Sequence, residues 1–172
     1  MLVISAPAVR RSRLKLAFAS LFLLPLANTS NATQVTSKFT VQLTVTTSCV
    51  INSGSTLDFG SQGVLTANVD NTSTLAVQCT NTTPYNIGFD AGTGNGATVA
   101  VRKMTSGPAT VDYMLYSDAG RTSIWGNTIG TNTVAGTGNG ASQNYTVYGR
   151  VPPQTTPAAA AYSDTITVTV TY

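Results

Sequence analysis

The side chains that most often carry chemistry are scarce in this chain of 172 residues. It has no histidine and no glutamate, and its carboxylates are six aspartates, Asp58, Asp70, Asp90, Asp112, Asp118 and Asp164. General acid–base catalysis most often uses histidine, and glycoside hydrolysis needs a carboxylate pair. Asp112 and Asp118 flank an apolar run, Asp58 lies in a strand-like stretch, and Asp90 ends one beside a glycine-rich turn. All of these read as caps or solvated loop residues. A nucleophilic serine needs a base, and no motif joins one to Lys38 or Lys103. Cys49 and Cys79 supply two sulfurs, but without histidine they cannot complete a tetrahedral metal shell. No catalytic residue, cofactor site or metal site is expected, and the chain does not read as an enzyme.

Two other patterns could bind ligands. Gly92-Thr-Gly-Asn-Gly-Ala97 recurs as Gly136-Thr-Gly-Asn-Gly-Ala141. A phosphate cradle would need a following helix and usually a lysine; neither follows, and the Asn-Gly pairs read as hairpin turns. Trp125, with Tyr113, Tyr116, Tyr145, Tyr148 and Tyr162, could build an aromatic platform for a sugar. Tyr113 and Tyr116 are an odd number apart, so a regular strand puts them on opposite faces. Core packing is the simpler reading, and a secreted carbohydrate-binding module is the alternative.

The elements that would position these residues begin after a leader. Arg10, Arg11, Arg13 and Lys15 precede an apolar run from Leu16 to Leu26, and small polar residues follow to Ala32. This is the pattern of a secretory signal peptide, and the run is too short to span a membrane. Residues 1–32 are therefore expected to be a signal peptide cleaved after Ala32, with the leucine-rich core favouring the general secretory route over the twin-arginine one that Arg10-Arg11 permits. The formal charge of the whole chain is +3. Four of its nine basic residues lie in the leader, which leaves five against six aspartates and a net of −1. The five that remain, Lys38, Arg102, Lys103, Arg121 and Arg150, are scattered, which excludes a nucleic-acid-binding patch. In an oxidising compartment the even cysteine count reads as a Cys49–Cys79 bridge.

Beyond residue 32 the chain is rich in Thr, Val, Asn, Gly and Tyr, which favours strands and turns. Phe39, Val41, Leu43 and Val45 alternate with Thr40, Gln42, Thr44 and Thr46. Ile166, Val168, Val170 and Tyr172 alternate with Thr165, Thr167, Thr169 and Thr171. Period two marks a half-buried strand. Further strands are expected near 47–51, 56–59, 74–79, 85–89, 98–104, 111–116 and 145–151, with an extended loop through Pro152-Pro153 and Pro157. Many short strands separated by such turns predict an all-β sandwich or barrel.

These segments together resemble the spore coat protein U domain family, and within it the major subunits of archaic chaperone–usher pili. The resemblance rests on Phe39–Cys49, Leu57-Asp-Phe-Gly60, Leu75-Ala-Val-Gln-Cys79, Tyr85–Gly92, Tyr113–Ala119, Arg121-Thr-Ser-Ile-Trp125, Tyr148-Gly-Arg-Val151 and Tyr162–Tyr172. It implies an immunoglobulin-like sandwich lacking its last strand and completed by a donor strand from a neighbouring subunit. It also implies a periplasmic chaperone, an outer-membrane usher, identical or related pilus subunits as partners, and export to the periplasm and then the cell surface. On this expectation residues 33–46 are the donor segment, with Phe39, Val41, Leu43 and Val45 entering the neighbour's groove. Residues 47–172 are the sandwich, with Ile166, Val168, Val170 and Tyr172 along the acceptor edge. The function implied is a structural pilus subunit supporting adhesion and biofilm formation, with a carbohydrate-binding module or a spore or surface coat protein as alternatives. The simpler reading of residues 39–45 is the first strand of a complete domain.

Overall fold

The computed structural model of the chain describes residues 31–172. The expected leader lies almost wholly outside these residues. The chain divides into two units, Met1–Gln42 and Leu43–Tyr172. Within the first, residues 31–42 form no strand or helix.

The second unit is built of eight strands: β1 (Cys49–Gly54), β2 (Val69–Cys79), β3 (Pro84–Phe89), β4 (Arg102–Ser106), β5 (Ala109–Tyr116), β6 (Val134–Thr137), β7 (Ser142–Val151) and β8 (Val168–Thr171). They form a five-stranded sheet in the order β1-β2-β7-β5-β4 and a three-stranded sheet in the order β6-β3-β8. Every pairing between strands is antiparallel. This is an all-β sandwich, one of the two architectures the strand spacing predicts, and it agrees with the immunoglobulin-like fold that the resemblance implies. No helix occurs among the described residues, and none is long and apolar enough to cross a membrane.

Alternation explains the layers. In β2 the inward side chains Leu75, Val77 and Cys79 are buried, while Asp70, Thr72 and Thr74 face outward. β3 contributes Tyr85, Ile87 and Phe89, β5 Val111, Tyr113 and Leu115, and β7 Val147 and Val151. Trp125 fills the centre at 1% exposure. Its ring stacks on Phe89 with centroids 4.4 Å apart, and its Nε1–H donates to the Ile87 carbonyl at 2.9 Å. A buried tryptophan has no face left for a sugar, so the aromatic platform centred on Trp125 is not formed. Tyr113 and Tyr116 do lie on opposite faces of β5, yet both are buried, Tyr116 bridging to Ile124.

Several local expectations are corrected. No strand forms at 56–59, so Asp58 sits in a loop, and Asp112 lies inside β5 rather than at its flank. The short strand β6 carried no clear alternation. The two Gly-Thr-Gly-Asn-Gly-Ala segments are not hairpins, because each joins strands of different sheets. The second packs tightly on its surroundings. A Cβ on Gly138 would lie 2.2 Å from the Thr80 carbonyl, and one on Gly136 2.5 Å from the Tyr85 ring. The tight hairpin is instead β4–β5, where Gly107 (φ 57°) precedes Pro108 between the paired Ser106 and Ala109. That order suits a two-residue turn with glycine in the first place. Cys49 and Cys79 form a disulfide joining β1 to β2.

An open sheet edge above an apolar cleft

β8 is an edge strand, paired only with β3, through Asn86–Thr171, Ile87–Val170, Gly88–Thr169 and Phe89–Val168. The Phe89 N–H donates away from β8, to the Gly126 carbonyl, while on the β3 side the Asp90 N–H donates to the Thr167 carbonyl and the Thr167 N–H donates to the Asp90 carboxylate. Main-chain groups alternate sides along a strand. The N–H and C=O groups of Thr167, Thr169 and Thr171 therefore face β3. Those of Ile166, Val168 and Val170 face the open side. Such a row is a template for adding a strand.

The same even-numbered residues point their side chains inward. Ile166, Val168 and Val170 are half-buried and pack against the core, while Thr165, Thr167, Thr169 and Thr171 are exposed. Tyr172, just past β8, is 58% exposed. Beside this edge lies a cleft of about 1320 Å³. Leu57, Phe59, Leu65, Leu75, Ile166 and Val168 are among the apolar residues that line it. The apolar core thus reaches the surface along one side of the sandwich.

Polar side chains hold the segment leading into β8. Asp164 accepts from the Tyr113 hydroxyl at 2.7 Å through Oδ2, and from the Thr93 N–H and hydroxyl, both at 2.8 Å, through Oδ1. Asp90 Oδ1 accepts from Thr167 N–H at 2.9 Å and Gly92 N–H at 3.0 Å. Burial pushes the Asp90 carboxyl up, but these bonds outweigh it and hold it below the usual range. Burial, reinforced by Asp164, raises the Tyr113 phenol well above its usual value. Behind them Arg102, with no exposed surface, donates to the carbonyls of Phe89, Asp90, Val99 and Trp125 at 2.7–3.2 Å. Burial lowers its pKa, opposed by Tyr113, Asp90 and Asp164. Sequence reading missed Arg102. In the sequence it stands next to Lys103 in a short strand-like run and looks like a surface residue.

The expected donor residues are strongly exposed: Phe39 at 88%, Val41 at 81%, Leu43 at 89% and Val45 at 75%. No strand forms over residues 31–48. Phe39–Val45 therefore joins no ladder among the described residues. Among the described residues no group of histidine, cysteine, aspartate or glutamate could hold a metal ion.

A profile of the spore coat protein U domain matches residues 35–169. The chain is 34% identical over 139 residues to Protein U of Myxococcus xanthus, covering 72% of this chain and 77% of that protein. Its fold matches a chain of the crystal structure of the CsuC–CsuE chaperone–tip adhesion subunit pre-assembly complex from archaic chaperone–usher Csu pili of Acinetobacter baumannii. The TM-score is 0.54 at 23% identity, over 75% of this chain, and the match spans 40% of that chain. With the family profile running from the exposed alternating segment through to β8, this chain belongs to the spore coat protein U domain family.

Proposed function

We propose that this chain is a structural subunit of a chaperone–usher pilus that polymerises by strand donation. Residues 33–46 of one subunit would supply the strand, and the open β8 edge of the next would receive it. The observation that carries the reading is a match of opposites in one chain. Four alternating apolar side chains stand exposed at Phe39, Val41, Leu43 and Val45, and an apolar cleft lies beside an edge strand with free main-chain groups.

Strand addition gives affinity through main-chain bonds and register through alternate side chains. Burying four such side chains contributes about 1.5–3 kcal/mol each, roughly 6–12 kcal/mol before association costs. Each main-chain bond adds about 0.5–1.5 kcal/mol. A one-residue slip would turn Thr40, Gln42 and Thr44 into the cleft. An exposed edge of this kind also needs cover before assembly, which supports a periplasmic chaperone and an outer-membrane usher as partners. The leader in residues 1–32 supports export to the periplasm and display at the cell surface, where the fibre would serve adhesion and biofilm formation.

The test is a gel of sheared surface protein, unheated against boiled, for the native chain and Leu43→Asp. A ladder that collapses on boiling and disappears in Leu43→Asp is expected. A single monomer band under every condition would overturn the reading.

A further inference from the structure

We propose that Asn95 is a site of spontaneous covalent modification: its side-chain amide closes onto the Gly96 nitrogen, loses ammonia and leaves aspartate or isoaspartate at position 95. The fold holds Asn139, in the same sequence setting, out of this reaction. The inference stands apart from strand donation. An asparagine before glycine is prone to this chemistry because glycine has no side chain to hinder the approach. The glycine nitrogen gives up its proton and attacks Cγ of the asparagine. A C–N bond forms there, the bond to the side-chain nitrogen breaks, and that nitrogen takes up a proton and leaves as ammonia. Water then adds to one carbonyl of the cyclic succinimide and breaks the ring C–N bond beside it. Nothing is oxidised or reduced, water is the only co-reactant, and the chain gains one negative charge.

The two Asn-Gly pairs of the chain stand in the same seven residues, Ala91-Gly-Thr-Gly-Asn-Gly-Ala97 and Ala135-Gly-Thr-Gly-Asn-Gly-Ala141. Local sequence therefore gives them equal reactivity, and a difference between them must come from the fold. The attacking nitrogen differs first. At the second copy the Gly140 N–H donates to the Cys79 carbonyl at 3.1 Å, and Cys79 is itself tied to Cys49. A bond made by the neutral N–H disfavours loss of its proton, and it keeps the nitrogen turned toward Cys79. The asparagine differs next. Asn139 Oδ1 accepts from the Ala141 N–H at 2.9 Å, whereas the Asn95 side chain and the Gly96 N–H make no hydrogen bond among the described residues.

The anchoring of each loop completes the contrast. Around Asn139 the Gly138 N–H donates to the Thr83 carbonyl at 2.7 Å, the Gly138 carbonyl accepts from the Thr82 N–H at 2.8 Å, and Gln78 Nε2 donates to the Gly140 carbonyl at 2.8 Å. The segment is clamped on both sides of the reacting bond. In the first copy the anchors stop before Asn95. The Gly92 and Thr93 N–H groups go to Asp90 and Asp164, and a Cβ on Gly94 would lie 2.5 Å from the Lys103 carbonyl. Beyond Gly94 the Ala97 N–H donates back to the Gly94 carbonyl at 3.0 Å, closing a turn with Asn95 and Gly96 in its centre. Gly96 has φ 71°, as the second central place of a type II turn requires. Both central residues are exposed. This tip can rotate toward the succinimide geometry without breaking a bond to another element. Asn139 must wait for the clamp to open, and such local opening is sparsely populated where many bonds hold.

The test is to incubate the folded chain in warm, mildly alkaline buffer and map its tryptic peptides by mass over time. Cleavage after Lys38, Arg102, Arg121 and Arg150 puts Asn95 in the peptide 39–102 and Asn139 in 122–150, so the two sites are followed separately. Deamidation at Asn95 is expected to run at least tenfold faster than at Asn139, a barrier difference of about 1.4 kcal/mol or more. In urea, with the disulfide reduced, the two rates should converge. Equal rates in the folded chain, a faster Asn139, or no reaction at Asn95 overturns the proposal. A gap of the same size in urea also overturns it, because the fold would then not be the cause. Asn95→Gln, a change at an exposed position, should abolish the early mass rise of the peptide 39–102 and leave 122–150 unchanged. A rise that survives this substitution moves the reaction to another residue and overturns the assignment. Amide hydrogen exchange gives an independent reading on the unaltered chain. The Gly140 amide should exchange at least tenfold more slowly than the Gly96 amide, and equal exchange overturns the clamp.

Discussion

Replacing Arg102 by methionine should cost more than any surface change of similar size. The guanidinium is fully buried and donates to four main-chain carbonyls, of Phe89, Asp90, Val99 and Trp125. Methionine fills much of the volume and returns no bond. An acceptor left without a partner costs about 1–3 kcal/mol. Taking the low end for carbonyls near the sandwich edge gives about 4 kcal/mol in all. Apolar burial of the methionine offsets about 1 kcal/mol of that, which leaves a net loss of about 3 kcal/mol. Against a domain stability of about 5–15 kcal/mol that is a large share. With a urea slope of about 1.5–2 kcal/mol per molar, the midpoint should fall by roughly 1.5–2 M. Trp125 is the single tryptophan and stacks on Phe89, so its fluorescence reports the transition directly. Arg102→Lys should recover at most half, because a compact ammonium cannot reach carbonyls spread around a planar fork. A loss below about 1 kcal/mol for Arg102→Met, or full recovery by lysine, would refute the idea that this side chain ties β4 to the end of β3 and to Trp125.

Three further outcomes are expected. Cys49→Ser with Cys79→Ser opens a loop with a sequence separation of 30, so stability in urea should fall by about 3–4 kcal/mol on the chain-entropy account. The Asp70 carboxyl is held below its usual range, first by the hydrogen bond from Arg150 and then, against some burial, by the charges of Arg121 and Arg150. A depressed folded value means stability that is complete above the unfolded value of about 3.9 and is lost as the pH falls through the folded one; below about pH 4 the native chain should lose stability more steeply than Asp70→Asn in acid titrations of unfolding. Burial, with Asp164 for Tyr113 and with Tyr85 for Tyr145, keeps those two phenols protonated far above their usual range. Ultraviolet titration should therefore leave at least two of the seven tyrosines un-ionised at about pH 11 in the folded chain and none in urea.

The outline of the fold was legible because alternation is a local signal. Ile166, Val168 and Val170 fall on one face and are half-buried as their spacing requires. Leu75, Val77 and Cys79 do the same in β2. What failed was anything set by distant parts of the chain. The two glycine-rich repeats have the composition of hairpins, yet whether a turn joins partners in one sheet depends on where the next strand finds its neighbour. Leu57 and Phe59 look like a strand in sequence but serve as loop residues flanking the cleft. Arg102 was invisible for a related reason, since its partners are carbonyls, which every residue has. Of the site, the alternating tracks were readable. The direction of the free main-chain groups along β8 was not, because it follows from where Phe89 and Thr167 send their own bonds.

The disulfide has a mechanical consequence. Any pull on the segment before Cys49 enters the sandwich at the first residue of β1, where a covalent bond leads straight to Cys79. The rest of β1, an edge strand with a bulge between Ile51 and Ser53, is bypassed by the load. Force passes instead into β2, which is paired along ten residues with β7 in the middle of the larger sheet. To let go there, a long ladder would have to slide past its neighbour with many bonds resisting together, whereas a strand peeled from its end gives up one bond at a time. With the bridge intact, tension on the N-terminal segment meets the strongest part of the sandwich first.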